Sequence, residues 1–263
     1  MAFETITLAM DEGLAILTLN RPSAANAMNR QMAADLRAAS VQLYHDSSVR
    51  AVLLTSEGRI FCGGGDLAEF AAQDPAELPG FVDAMTIDLH SAVNRLSRMN
   101  APLVAAVGGA AGGAGLSLVA ASDLVVAGQS AKFTMGYTRA GLVPDGTSSF
   151  FLARVVGLRR AADLVLTNRV LTAAEAEAWG LVNRVVADDE VRSQAEALAR
   201  TLAAGPTRSF GVAKKLLLEG ASSSLEQAME RESFAISGAA GAFDAQEGMA
   251  AFLGKRPPKF EGR

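Results

Sequence analysis

Residues 102–123 read PLVAAVGGAAGGAGLSLVAASD, and the interpretation of this stretch decides the fold. No side chain from Pro102 to Ser122 can carry a charge, so the segment lies inside something. A membrane span satisfies the length, and Gly108/Gly112 and Gly109/Gly113 have the small-residue spacing of packed membrane helices. Against it stand the clustered glycines, which weaken a helix interior, and the shortage of Leu, Ile and Phe. A buried strand from Leu103 to Val107, a tight glycine turn and a helix from about Ala114 fit the residues better. Such a turn exposes backbone N–H groups at a helix start, where an anion or a developing oxyanion can be held.

Upstream of that stretch, Phe81 to Met99 spaces Met85, Leu89, Val93 and Leu96 as one helical face. Asp74 to Gly80, with Pro75 and Pro79, is the most loop-like segment and a candidate mobile cover. SEGRIFCGGGDLAEF (56–70) reads as a loop with three glycines before Asp66, running into a short helix. RAVLLT (50–55) is a short buried strand. Before it, Met28, Met32, Leu36 and Leu43 mark a helix ending near His45, preceded by the turn NRPSAANAMN (20–29). Thr5 to Leu8 and Leu14 to Leu19 form a hairpin around residues 10–13.

Downstream, strands are expected near 124–127 and 132–134, then the loop Gly141 to Thr147 opening a helix through Val155. Helices over 159–166, 173–179 and 191–203 alternate with short strands such as 182–186. From Gly205 the chain reads as all-helical, with Pro206 at a helix start and a basic tail, GKRPPKFEGR. The β-β-α units recur irregularly, which suggests stacked turns rather than one flat doubly wound α/β sheet.

With 263 residues, 50% hydrophobic and 20% charged, the chain has a globular balance and a generous core. A net charge of -4 supplies no basic face for nucleic acid. The lone Cys62 excludes an intrachain disulfide, and with only His45 and His90 beside it no transition-metal site is expected. The acidic N-terminal segment MAFETITLAMDEG has no leader-like pattern, so a reducing cytoplasm is the expected setting and no membrane partner is expected.

NRPSAANAM, FCGGGDL, GGAAGGAGLSLVAASD, GLVPDGTSSFFLARVVG, LTAAEAEAWGLVNRVV and GMAAFLGKRPPKF occur in that order along nearly the whole chain. In order and spacing they resemble the crotonase superfamily, the enoyl-CoA hydratase/isomerase family. The resemblance implies a crotonase-like spiral core of β-β-α units (1–200) and a C-terminal helical trimerisation region (201–263). It further implies a homotrimer or dimer of trimers, and an acyl-coenzyme A thioester as substrate, with no cofactor beyond the coenzyme A that the substrate carries. By the same resemblance Gly65 and Ala114 each direct one backbone N–H at the thioester carbonyl. Removing a proton beside a thioester creates an enolate-like oxygen, and two preorganised donors stabilise it by about 3 kcal/mol each.

Family members that hydrate double bonds use two glutamates, and the matching positions here hold Ser117 and Tyr137. Neither can shuttle protons as a carboxylate does near neutral pH. A carboxylate stands instead at Asp145, where some double-bond isomerases, including the epoxyphenylacetyl-CoA isomerase type, and 4-chlorobenzoyl-CoA dehalogenase carry aspartate. Three roles stay open for Asp145: a helix N-cap, a general acid/base moving a proton along an enoyl chain, or a nucleophile on a halogenated ring. His90 bears on the last, because the dehalogenase has a histidine at the matching place; otherwise it is an ordinary helix-face residue. Gly64, Leu89 and Tyr137 provide little aromatic lining for such a ring, so isomerisation ranks first, dehalogenation second, and a non-catalytic acyl-CoA-binding protein remains.

The resemblance assigns Tyr137, Ser117 and His90 to the substrate pocket, where Tyr137 either bonds toward the acyl chain or caps a wall and Ser117 points from the central helix into a small gap. Asp66 and Asp123 are structural, and Cys62 is a buried small side chain. For coenzyme A, the resemblance assigns Ser23, Ala24 and Ala25 to backbone contacts near the adenine. It assigns Phe252 and Lys255 to contacts made from a neighbouring subunit, against the alternative of a solvated basic tail.

Overall fold

A strand apolar on both faces needs cover on both sides, and the layers of this chain supply it. The computed structural model describes residues 3–263. Six strands form the larger sheet: β1 (Ile6–Asp11), β2 (Leu14–Leu19), β3 (Ala51–Ser56), β5 (Leu103–Val107), β7 (Leu124–Gly128) and β10 (Arg184–Val186), adjacent in that order. The smaller sheet holds β4 (Ile60–Cys62), β6 (Ala110–Gly112), β8 (Lys132–Thr134) and β9 (Leu171–Thr172). Apart from the β1–β2 hairpin and the β8–β9 pair, neighbours run parallel.

Each turn of the chain places one strand in the large sheet, one in the small sheet, and then a helix, so β3–β4, β5–β6 and β7–β8 stack as successive turns of a spiral. The helices are α1 (Arg30–His45), α2 (Leu67–Ala71), α3 (Leu78–Arg98), α4 (Ala114–Ala120), α5 (Ser148–Val156), α6 (Leu158–Thr167), α7 (Ala173–Ala178) and α8 (Val191–Ala203). Three more close the chain: α9 (Thr207–Gly220), α10 (Leu225–Ala240) and α11 (Phe243–Leu253). Side chains of β5 alternate between two cores. Leu103, Ala105 and Val107 face the main core with α1 and α3, while Val104 and Ala106 face Val191, Ala195 and Ala199 of α8.

The central stretch thus forms the strand and helix its sequence implies, and no helix among the described residues is long and apolar enough to cross a membrane. The glycine turn differs from expectation, because Ala110–Gly112 inside it is itself a strand. Glycine is needed there for proximity: a Cβ on Gly109 would lie 1.9 Å from the Arg59 carbonyl oxygen. The expected loop at 56–66 likewise contains β4, whose three residues are too few for a periodic signal. β9, with two residues, escaped for the same reason.

Other boundaries move. β1 continues through Met10 and Asp11, leaving Glu12-Gly13 as the turn. Asn29 caps α1 by accepting the Met32 N–H, so Met28 precedes the helix and bridges to Gly65. α3 begins at Leu78 with Pro79 in its first turn, which shortens the expected loop at 74–80.

Asp35 of α1 fastens the N-terminal edge, accepting from the Glu4 and Thr5 N–H groups and the Thr5 hydroxyl. Burial pushes its carboxyl up, but the bonds from Thr5, Gln31 and Glu4 outweigh burial and hold it below its ordinary value of 3.8. The folded value lies below the unfolded one, so this stabilisation is complete above the ordinary range and is lost as pH falls through the folded value. The Tm difference between the native protein and Asp35→Asn should therefore shrink as pH is lowered from about 6 to about 2.

Candidate active site

The parallel pairing of β4 with β6 lays two glycine segments side by side, Gly63–Gly65 after β4 and Gly112–Gly113 at the end of β6. Their backbones touch: a Cβ on Gly64 would lie 3.3 Å from the Gly112 carbonyl oxygen, and one on Gly113 3.3 Å from the Gly64 Cα. Both glycines have positive φ, +107° and +46°, a region that L side chains rarely occupy. Each loop delivers the next residue, Gly65 or Ala114, to the wall of one cavity. Neither N–H donates to a group among the described residues.

The first loop is fixed from below by the 20–29 turn. The Gly63 N–H donates to the Ala25 carbonyl at 2.9 Å, and the Met28 N–H donates to that of Gly64. The buried Asn26 amide donates to the Glu57 and Ile60 carbonyls. Asp66 caps α2 and pairs with Arg21, while Asp123 accepts the Leu103 N–H and pairs with Lys214, so both are structural as expected.

The cavity measures about 470 Å³. Met28, Phe70, Val82, Met85, Leu89 and Met135 give it an apolar wall, and Tyr137 and Asp145 are polar groups on it. The Tyr137 hydroxyl donates to Asp145 Oδ1. Burial, then the negative charge of Asp145, pushes the Tyr137 phenol far above its ordinary value, so it stays a donor.

Asp145 does not cap α5. Thr147 occupies the N-cap position without a side-chain cap bond, and it is the Asp145 carbonyl that accepts the Ser148 N–H and hydroxyl. Its carboxylate is thereby left to Tyr137 and the cavity.

Ser117 and His90, expected in the pocket, stand behind it. Buried Ser117 donates to the Asp145 carbonyl at 3.0 Å, and His90 Nε2 accepts the Gly146 N–H at 3.1 Å. They anchor the loop that presents Asp145, because α3 and α4 place them beneath that loop rather than beside the open space. Gly146 (φ +60°) and buried Ser148 complete this anchor. Only the Pro-Asp-Gly sequence hints at them in advance.

Ser23 and Ala24 lie in a 3-10 turn that Ala25 ends, outside the cavity wall, and the exposed Phe252 of α11 and Lys255 also lie off that wall. Cys62 is fully buried beneath the first loop, and burial pushes its thiol up to about 11. A thiol reagent at about pH 8 should leave the folded protein unmodified and label one group after denaturation.

A model of the enoyl-CoA hydratase/isomerase family matches residues 9–263. The 1,2-epoxyphenylacetyl-CoA isomerase of Escherichia coli K12 is 35% identical over 260 residues, 99% of each chain. The 4-chlorobenzoyl coenzyme A dehalogenase-2 of an Arthrobacter species is 37% identical over 227 residues, 86% of this chain and 82% of that one. A crystal structure of a putative enoyl-CoA hydratase/isomerase from Mycobacterium abscessus superposes with a TM-score of 0.93 at 35% identity, covering 98% of this chain and 100% of that one. The chain belongs to the enoyl-CoA hydratase/isomerase family, with the crotonase fold of that superfamily.

Proposed function

We propose that this enzyme is an enoyl-CoA double-bond isomerase in which Asp145 moves the proton and the N–H groups of Gly65 and Ala114 hold the thioester oxygen. One observation carries the reading: a carboxylate that caps no helix shares an apolar cavity with two main-chain amides that donate to nothing among the described residues. In a 3-enoyl thioester, Asp145 takes a proton from carbon 2. The electron pair moves onto the carbonyl oxygen as a dienolate, which the two amides stabilise. The protonated carboxyl returns the proton to carbon 4 as the pair withdraws, leaving the double bond between carbons 2 and 3. Atoms and charge balance with no further reactant, and coenzyme A serves only as part of the substrate.

Tyr137 holds the carboxylate at Oδ1, and Ser117 and His90 hold the loop. His90 spends its Nε2 on Gly146 and lies off the cavity wall, and among the described residues Phe70 and Tyr137 are the aromatic rings on that wall, a thin lining that argues against hydrolysis of an aryl ester. Incubation with a 3-enoyl-CoA should accumulate the conjugated 2-enoyl thioester, read by its absorbance. Halide release from a haloaroyl-CoA without that product would favour the dehalogenase, and tight binding with no turnover the non-catalytic alternative.

The closing helices support an oligomer. α10 buries no residue within its own chain and exposes Leu225, Met229, Phe234 and Ile236. A trimer or a dimer of trimers is the proposed state, with residues 201–263 as the assembling region and Phe252 and Lys255 reaching a neighbour's coenzyme A beside Ser23–Ala25. Light scattering should return a multiple of three chain masses.

A further inference from the structure

The charges on the cavity wall make it selective in a way the reaction itself does not require. Among its lining residues are two carboxylates, Asp145 and Asp83, and no Lys, Arg or His. Asp83 lies on the exposed side of α3, one residue beyond Val82, and its side chain forms no ion pair among the described residues. The nearest ion pair of this helix is formed further along, between Asp88 and Arg37. The cavity also has an exposed apolar rim: Leu67, Leu142 and Val143 line it while 52%, 38% and 76% exposed. Oil-like side chains left in water at a cavity mouth gain when an apolar chain covers them.

We infer that the acyl group accepted here is uncharged and apolar, and that Asp83 is a specificity-determining residue that excludes acyl chains carrying a distal carboxylate. The inference rests on the acyl-thioester reading of the same cavity. A carboxylate drawn into this space loses water, meets no cation, and faces two like charges. A hydrocarbon chain of the same length brings no charge to the wall and covers the exposed apolar rim. Thr86, Thr134 and Tyr137 offer hydroxyls to the wall, but Tyr137 is committed to Asp145 and hydroxyls alone do not neutralise a charge.

The test is binding of two saturated ligands, which separates it from turnover. Titration calorimetry with hexanoyl-CoA and with adipoyl-CoA, its counterpart ending in a carboxylate, should give a dissociation constant about 100-fold larger for the second. Asp83→Lys should narrow that ratio by about tenfold, since an exposed like-charge contact becomes an attractive one. Raising the salt concentration should narrow it in the native protein as well. Thermal melting of the variant checks its fold, and Asp83→Asn, a smaller change on the exposed face, should narrow the ratio partway. Equal affinities, or a preference for the carboxylated ligand, would overturn the inference. A ratio indifferent to Asp83→Lys, Asp83→Asn and salt would overturn it too, leaving shape as the cause. If neither ligand binds, the acyl-thioester reading of the cavity falls first.

Discussion

Asp145→Asn is expected to lower kcat for a 3-enoyl-CoA by roughly 10²–10⁴-fold while binding of the thioester changes little. The substitution keeps the shape and the Tyr137 partner, because an amide oxygen can still accept the phenol proton. It removes the group that accepts hydrogen from carbon. The loop should hold its position, since Ser117, His90 and Ser148 all grip its backbone and none touches the Asp145 carboxylate. A loss confined to kcat therefore reports chemistry rather than collapse. Activity that survives the change would remove Asp145 from the mechanism.

The second large effect is on stability, and two adjacent glycines separate cause from coincidence. Gly109→Ala should cost about 3 kcal/mol or more and lower Tm by about 10 °C, because the new methyl meets the Arg59 carbonyl, which is backbone and cannot swing aside. Gly108→Ala should change stability by less than about 0.5 kcal/mol, since a Cβ there has nothing within 4 Å. Arg59 leads into β4 and so into the first glycine loop, so the residual folded Gly109→Ala protein should also lose activity. Calorimetric scans of the two variants side by side test the contrast. Equal melting temperatures would mean that the segments leading into β4 and β6 do not approach each other as closely as described.

The site shows how far residues alone reach. The resemblance carried by the ordered glycine motifs pointed to Gly65 and Ala114, and both line one cavity, where small residues leave the backbone within reach. Asp145 was visible as a carboxylate where hydratases have none, yet three roles stayed open for it. What closed one of them was the cap of α5: Thr147 takes the position, and the aspartate is left facing Tyr137. The resemblance puts Ser117 and His90 at the pocket, because their positions match a hydratase glutamate and a dehalogenase histidine. A helical position fixes a face only to within a turn, and that uncertainty is enough to put a side chain under a loop instead of beside it.

The alternation and length of apolar runs determined the hairpin, the buried strands and the long helices, because burial repeats every two residues in a strand and about every 3.6 in a helix. Strands β4, β6 and β9 carry three residues or fewer and have no period to read; of the second sheet only β8 was expected, and the sheet itself forms through long-range pairing. That sheet makes the cavity. Pairing of β4 with β6 joins two glycine loops separated by some fifty residues of chain, and Asp83 and Asp145 meet on one wall only once the spiral has closed. Sequence settled which groups could act as donors and acids; which of them share a space was decided by parallel pairing between short strands, an interaction that leaves no local mark on the residues that make it.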